Sequence, residues 1–200
     1  MGYSHYFAYD PRAEPFIAAW PRMVADAAVI ATHVQNVLGV RLAGGTGEGP
    51  PEIDERRIWL NGPAEQQLDH DTFLIDLAPC HAGGVHATLA QRRRTRQRSE
   101  FERRGFVLDS CKTNRKPYDI AVTSILLRCR HLAPNAFVIA SDGAWEREWQ
   151  HGALHWDAAC PTSVGPVDVL ATLFAQIERP AASRLAANVL CGPPSATLTV

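Results

Sequence analysis

The stretch FVLDSCKTNRKPYD, residues 106–119, contains an apolar strand, a dense polar loop and the start of a helix. Ligand sites of proteins that combine helices and sheets gather at such strand ends. The stretch carries a thiol, three cations, a phenol and two carboxylates, which belong to Cys111, Lys112, Arg115, Lys116, Tyr118, Asp109 and Asp119. We therefore predict a strand-to-helix connection here, with a polar site at the end of the strand.

Signals for strands and helices continue on both sides of this stretch. Aromatic residues alternate with small or polar ones over 3–9, which predicts an opening strand with His5 on the same face as Tyr3 and Phe7. Apolar spacing predicts helices over 14–37, 118–131, 145–156 and 167–177, and strands over 57–60, 72–77, 106–110 and 136–140. Because these elements alternate unevenly, the pattern favours an α+β fold: a single domain whose mixed or antiparallel sheet carries two or three packed helices.

Chain length and composition predict how these elements are divided. A chain of 200 residues that is 46% hydrophobic fits one α+β domain, which we place over 1–160, followed by a C-terminal helix and loose tail over 161–200. The arginine-rich segment 80–104 is typical of a flexible, solvated insertion. The glycine-rich stretch 44–51 lacks the spacing of nucleotide-binding motifs and is interpreted as a flexible connection.

Composition also limits the partners and the compartment. A formal net charge of -1 disfavours nucleic acid as a partner, because phosphate binding needs a basic field. Five cysteines without a CxxC pair indicate neither a disulfide framework nor a zinc site, and the histidine spacings predict no metal. The N-terminus lacks a signal peptide, and no apolar run reaches the roughly 18 residues of a membrane span. We expect a soluble, cytoplasmic protein that is not associated with a membrane.

Several blocks occur in a recognisable order: residues 2–7, 58–62, 111–119 and 141–149. Together they resemble a family of small proteins from bacteriophages and bacteria that begin with a Gly-Tyr-Thr-His-Tyr-Trp stretch. Ser4 stands where that family has threonine, a change that keeps the hydroxyl. The resemblance covers scattered blocks up to about residue 150. It implies a bacterial cell or a phage-infected host as the setting, and it implies no activity.

Nucleophilic catalysis is the first hypothesis for the site. Cys111 is the candidate nucleophile, because the neighbouring cations would lower the pKa of its thiol. His5 on the opening strand is the candidate base, since such groups are assembled in space and not in sequence. The carboxylate that orients the base is expected among Asp109, Asp119 and Asp142. The alternative is a buried, structural cysteine.

Anion binding is the second hypothesis for the same loop. Lys112, Arg115 and Lys116, with backbone amides at the start of the following helix, suit a phosphate or a carboxylate. If the neighbouring strand ends converge on one pocket, further polar groups would reach the ligand: Thr113, Tyr118, Asn61 and Glu65. The alternatives are a solvated cationic loop and, for Asn61-Gly62, plain turn chemistry.

These hypotheses lead to one expected function and its alternatives. We expect the protein to bind a small anionic ligand, a nucleotide or nucleoside derivative, and to act as a Cys-dependent hydrolase or transferase. A phage-type protein that sequesters a nucleotide without turnover is the first alternative. A protein-interaction module that presents Trp145, Trp149 and Trp156 is the second. The sequence names no cofactor and no oligomeric state.

Overall fold

The structure is a computed structural model, and it describes residues 3–78, 101–143, 149 and 164–174. Three predicted features lie wholly or largely outside these residues: the arginine-rich insertion up to residue 100, the helix over 145–156 apart from Trp149, and the C-terminal tail. In the part that is described, no helix is both long enough and apolar enough to cross a membrane.

Helices and strands follow one another in an uneven order. They are β1 (His5–Tyr9), α1 (Glu14–Asn36), β2 (Glu52–Ile53), β3 (Arg57–Leu60), a 3-10 turn (Ala64–Gln66), β4 (Phe73–Asp76), β5 (Val107–Cys111), α2 (Asp119–Leu132), β6 (Phe137–Ser141) and α3 (Pro166–Leu173). All strand pairs are antiparallel. The predicted α+β class is confirmed, and apart from β2 and the 3-10 turn, which the sequence did not predict, these elements lie within a few residues of their predicted positions.

The first sheet has the order β5-β1-β6, so the opening strand is its centre. In the register of this sheet, His5 lies opposite Cys111 on β5 and opposite Ser141 on β6. Residues that face each other across antiparallel strands project from the same side of the sheet. A thiol, an imidazole and a hydroxyl therefore lie in one row across the end of this sheet.

The second sheet has the order β2-β3-β4, in which the predicted strands over 57–60 and 72–77 pair with each other. The two sheets meet through Tyr9, whose hydroxyl donates to the carbonyl of Asp76 at 3.2 Å and accepts its N–H at 3.1 Å. The ring of Phe7 also packs on Phe73, with 5.6 Å between centroids. Because β3 belongs to the second sheet, it does not pair with β5 or β6, although a Cβ on Gly62 just after β3 would lie 3.1 Å from the ring of Tyr118.

The helices close the core over these sheets. Helix α1 buries a stripe of residues spaced three or four apart, which is the spacing of one helix face: Phe16, Trp20, Met23, Ala27, Ile30 and Val34. Helix α2 packs against both α1 and α3. A buried ion pair joins α1 to α2, with Arg128 Nε 2.6 Å from Asp26 Oδ2. Helix α2 is thus held firmly, and its N-terminus points at the end of the first sheet where His5 lies.

Candidate functional site

The imidazole of His5 is the centre of a hydrogen-bond chain at the end of the first sheet. Its Nε2 lies 2.6 Å from Asp119 Oδ1, and its Nδ1 lies 2.9 Å from Ser141 Oγ. Thr113 Oγ1 donates to the same Asp119 oxygen. We call Ser141, His5, Asp119 and Thr113 the His5 network. Its members come from β6, β1, the first turn of α2 and the loop before that helix.

The protons of this chain follow from its donors and acceptors. An ionised carboxylate accepts only, so opposite an ionised Asp119 the Nε2 atom of His5 carries the N–H. The Nδ1 atom of the neutral ring is then an acceptor, and the hydroxyl of Ser141 donates to it. The N–H of Gly143 donates to Ser141 Oγ at 2.9 Å, which fixes the hydroxyl from the other side. The proton of Ser141 therefore points at a base.

Aromatic rings exclude water from the base. Tyr3 and Trp149 each contact His5 edge-on, with centroids at 5.0 Å and 5.4 Å. Both rings are buried, and His5 itself has an exposed fraction of 0%. Ser141, at the end of the network, is its one half-buried member. Electrostatic interactions are stronger in such a dry environment than in water.

Of the three carboxylates that the sequence offered as partners of His5, Asp119 is the one that contacts its ring. It is the first residue of α2, where the positive end of the helix dipole stabilises a negative charge. Its exposed fraction is 5%. Asp142 follows Ser141 directly and accepts the N–H of Ser4 at 3.2 Å, while Asp109 lies opposite Phe7 and accepts the N–H of Ser110 at 2.7 Å. Asp119 alone of the three has a hydrogen bond to His5 among the contacts of the described residues.

The thiol of Cys111 is fully buried, with an exposed fraction of 0%. Its Sγ donates to the carbonyl of Asp71 at 3.3 Å. Burial raises the pKa of the Cys111 thiol well above its ordinary value, and the carboxylates of Asp119 and Asp71 raise it further. The prediction of a lowered thiol pKa was therefore wrong, because loss of water outweighs the cations nearby.

Two residues predicted to contact a ligand are buried beside this thiol. The hydroxyl of Tyr118 donates to the same Asp71 carbonyl at 2.8 Å, and burial raises the pKa of this phenol as well. Thr113 has an exposed fraction of 0%, and its hydroxyl is directed at Asp119. Both side chains serve the interior, so the prediction that they contact a ligand was wrong.

The cationic loop lies against the first residues of the chain. The N–H of Asn114 donates to the carbonyl of Tyr3 at 3.1 Å, and the guanidinium carbon of Arg115 lies 4.2 Å from the centroid of the Tyr3 ring. Lys116 Nζ donates to the carbonyl of Gln67 at 2.6 Å. Lys112 is half-buried at the strand end, next to Cys111. The ring of Tyr3 thus contacts both the guanidinium of Arg115 and the imidazole of His5.

The backbone amides at the start of α2 do not support the predicted anion site. The N–H of Asp119 donates to the carbonyl of Lys116 at 2.9 Å, and the N–H groups of Ala121 and Val122 both donate to the backbone carbonyl of Tyr118. The carboxylate of Asp119 also places a negative charge in this first turn. An anion near this loop would therefore depend on side-chain cations.

Asn61 and Glu65 belong to the second sheet and its loop. The amide of Asn61 donates to the carbonyls of Gly45 and His70, at 3.3 and 3.1 Å, and its oxygen accepts the N–H groups of Gly62 and His70, at 2.8 and 3.2 Å. Glu65 is exposed and pairs with Arg41 at 2.8 Å. None of these contacts joins Asn61 or Glu65 to the His5 network, and their part in a ligand site stays a prediction.

The glycine-rich loop 44–51 is closed by its own backbone. The N–H of Gly44 donates to the carbonyls of Glu48 and Gly49, at 3.1 and 3.0 Å. A Cβ on Gly45 would lie 2.0 Å from the ring of Trp59, so only glycine fits there. These contacts leave no open phosphate cradle, and they do not fit a flexible connection.

Sequence reasoning did not single out Ser141. Ser141-Asp142-Gly143 has the composition of a turn after a strand, and β6 ends at Ser141. The only local signal was a hydroxyl at the last position of a strand, and that signal is common. The partner of Ser141 is 136 residues away along the chain, so the pattern around it carries no mark of the contact.

Comparison with known family models, with curated proteins and with solved structures gives no match. The resemblance to phage and bacterial proteins stays a prediction, and the function has to be inferred from the site.

Proposed function

We propose that the protein is a serine-dependent hydrolase or transferase that acts on a small anionic ester, with nucleotide or nucleoside derivatives as the expected class. Ser141 is the nucleophile, His5 the base and Asp119 the carboxylate that orients the base. The observation that carries the proposal is the unbroken chain from Ser141 Oγ through both ring nitrogens of His5 to Asp119 Oδ1, with links of 2.9 and 2.6 Å. Nucleophile, base and orienting group within hydrogen-bond reach are the mark of an activated hydroxyl.

The reaction follows from the proton positions. Ser141 Oγ attacks the carbonyl carbon of the ester while its proton moves to His5 Nδ1, and Asp119 stabilises the imidazolium that forms. The carbon–oxygen bond to the leaving group then breaks, and the leaving oxygen takes the proton from Nδ1. Water, or another acceptor hydroxyl, attacks the acyl group on Ser141 and gives its proton to Nδ1, from which Ser141 recovers it. General-base assistance of this kind supplies about 10²- to 10⁴-fold in rate.

The preference for an anion is supported by Arg115. Its guanidinium lies over the ring of Tyr3, 4.2 Å from the centroid, and the same ring makes a T-shaped contact with His5. A ligand that reaches Ser141 therefore comes close to a cation that forms planar, two-pronged hydrogen bonds with carboxylates and phosphates. Lys112 adds a second positive charge at the end of β5.

Ester turnover tests the proposal with defined probes. We expect the protein to hydrolyse the monoanion of 4-nitrophenyl succinate faster than neutral 4-nitrophenyl acetate, measured as kcat/KM from nitrophenolate release. Ser141→Ala should lower kcat by about 10³-fold or more, as loss of a nucleophile does. Ser110→Ala is the matched control, because Ser110 also lies near a strand end but faces Tyr6 and not His5.

The charge preference has its own pair of variants. Arg115→Gln should raise KM for the anionic ester and leave the neutral ester unaffected. Arg41→Gln makes the same change of charge at an exposed pair with Glu65, and it should alter neither. Equal kcat/KM for the two esters in the wild-type protein would contradict an anionic substrate.

Binding without turnover is the second candidate, and the complete burial of His5 favours it. A polar network whose hydrogen bonds are all satisfied can have a purely structural role, which here is to hold β1, β6 and α2 together. Titration calorimetry with AMP separates the two cases. Binding that is lost in Arg115→Gln, together with ester turnover no faster than buffer in both wild type and Ser141→Ala, would establish the binding protein.

A further inference from the structure

The side chain of Thr113 is fully buried, with an exposed fraction of 0%, so it is not placed to contact a ligand. Its hydroxyl donates to Asp119 Oδ1, the same oxygen that faces His5 Nε2. We infer that Thr113 is a positioning residue that fixes the tautomer of His5 and so keeps Nδ1 ready to accept the proton of Ser141. This inference rests on the proposed function, since it assigns a purpose to that tautomer.

The argument for the tautomer depends on how many hydrogen bonds one oxygen can accept. An ionised carboxylate oxygen offers two lone pairs, and Asp119 Oδ1 uses them for Thr113 and for His5. Both contacts are satisfied at once when Asp119 is ionised and Nε2 carries the N–H, and this is the arrangement that the inference assigns to the pair. The lone pair of the neutral ring then lies on Nδ1, 2.9 Å from Ser141 Oγ.

The backbone holds the Thr113 hydroxyl in this place. The carbonyl of Thr113 accepts the N–H of Lys116 at 2.9 Å, which closes a tight turn. Asn114 and Arg115 inside this turn have φ values of 51° and 59°, a left-handed conformation that is costly for a residue other than glycine. The turn is also tied to Tyr3 through the N–H of Asn114, at 3.1 Å. A strained turn that is fixed at both ends suits a residue whose position has to be accurate.

Nitrogen NMR of the imidazole tests this inference without any substrate. The protein is labelled with ¹⁵N-histidine, and the His5 signals among the eight histidines are identified by their loss in His5→Gln. The protonated and unprotonated ring nitrogens resonate in separate regions and can be assigned by their couplings to ring protons. Wild type and Thr113→Ser should both show His5 protonated at Nε2 alone, while Thr113→Val should show a mixture of tautomers.

Kinetics provides the second readout. Thr113→Val should lower kcat on 4-nitrophenyl succinate by about 10- to 100-fold, the usual effect of losing a hydrogen bond behind a functional group, with KM unchanged. Thr113→Ser should stay close to wild type, because it keeps the hydroxyl.

Two results would overturn the inference. One is a wild-type protein in which His5 is protonated at Nδ1, which decides the matter even where Thr113→Val does not fold. The other is a folded Thr113→Val protein with an unchanged tautomer and an unchanged kcat. Failure of the proposed function would look different: Ser141→Ala would have no effect on ester turnover, whatever the ring nitrogens show.

Discussion

Cys111 and Ser141 occupy equivalent places on the two sides of His5. Each lies directly opposite His5 in the register of the first sheet, one on β5 and one on β6. The thiol is buried and donates to a backbone carbonyl, whereas the hydroxyl is half-buried and donates to the base. By intrinsic chemistry the thiol is the better nucleophile, yet its surroundings raise its pKa and remove it from any ligand. The comparison teaches that access and a partner decide which of two candidate groups reacts.

The largest effect should come from the group behind the base. Asp119→Asn keeps the shape of the side chain but presents an amide to His5, which favours the wrong tautomer and removes the charge that balances the imidazolium. We expect kcat on the anionic ester to fall by about 10³- to 10⁴-fold. Asp142→Asn is the matched control, since Asp142 accepts hydrogen bonds from Ser4 and Tyr6 and should leave kcat within a few-fold of wild type. Equal losses of kcat in Asp119→Asn and Asp142→Asn would contradict a specific role of Asp119 behind His5.

A smaller effect is expected from the residue that fixes the Ser141 hydroxyl. A Cβ on Gly143 would lie 2.6 Å from the hydroxyl oxygen of Tyr3, so Gly143→Ala has to displace either the ring or the backbone N–H that reaches Ser141. A displacement of this size costs about 10²-fold in rate. Tyr3→Phe in the same protein removes the closest atom of this clash and should restore part of the lost kcat. A Gly143→Ala variant with the kcat of wild type would contradict the proposed role of the Gly143 N–H in fixing the Ser141 hydroxyl.

Cys111, the counterpart of Ser141 on β5, should not react with alkylating reagents in the native protein. Iodoacetamide at pH 8 should leave Cys111 unmodified in the native protein and alkylate it once urea has unfolded the chain, as peptide mass spectrometry would show. Cys111→Ala should change kcat by no more than a few-fold and should lower the free energy of unfolding by about 1 to 2 kcal/mol, the usual cost of a small core truncation. Rapid native alkylation of Cys111 together with loss of activity would restore the thiol as the nucleophile.

The smallest effect concerns pH. Because the pKa of Cys111 is raised in the folded protein, the folded state keeps its proton at pH values where the unfolded chain has lost it. This part of the stability is fully present below the ordinary thiol pKa of about 9 and falls as the pH rises above it. Urea unfolding between pH 8 and 10.5 should show a slope that Cys111→Ala reduces by up to about 1.4 kcal/mol per pH unit. Ser110→Ala should leave the slope unchanged.

Local patterns were sufficient for most of the elements. The alternation over 3–9 and the helical spacing over 14–37 and 118–131 each reflect one buried face, which neighbouring residues reveal. His5 and Asp119 could be proposed as partners because both lie at the boundary of an element beside the same loop. Their contact at 2.6 Å has the geometry that this hypothesis required.

Register and burial could not be obtained in the same way. Whether His5 faces Ser141 or its neighbour Asp142 depends on a pairing across more than 130 residues, and a shift of one residue would exchange the two. The split into two sheets depends on similar long-range pairing. Cys111 was misjudged for a related reason: the sequence shows the cations beside it but not the carbonyl of Asp71 and the Tyr118 side chain that contact its thiol in the folded protein.

Labelling with a fluorophosphonate tests the central claim most directly, because such reagents react much faster with an activated serine hydroxyl than with an ordinary one. The probe is incubated with the intact protein, and the modified peptide is identified by mass spectrometry. We predict one adduct, on Ser141, that is absent in Ser141→Ala, strongly reduced in His5→Gln and unchanged in Cys111→Ala. The account would be contradicted by an unlabelled wild-type protein, or by labelling of Ser141 that does not depend on His5.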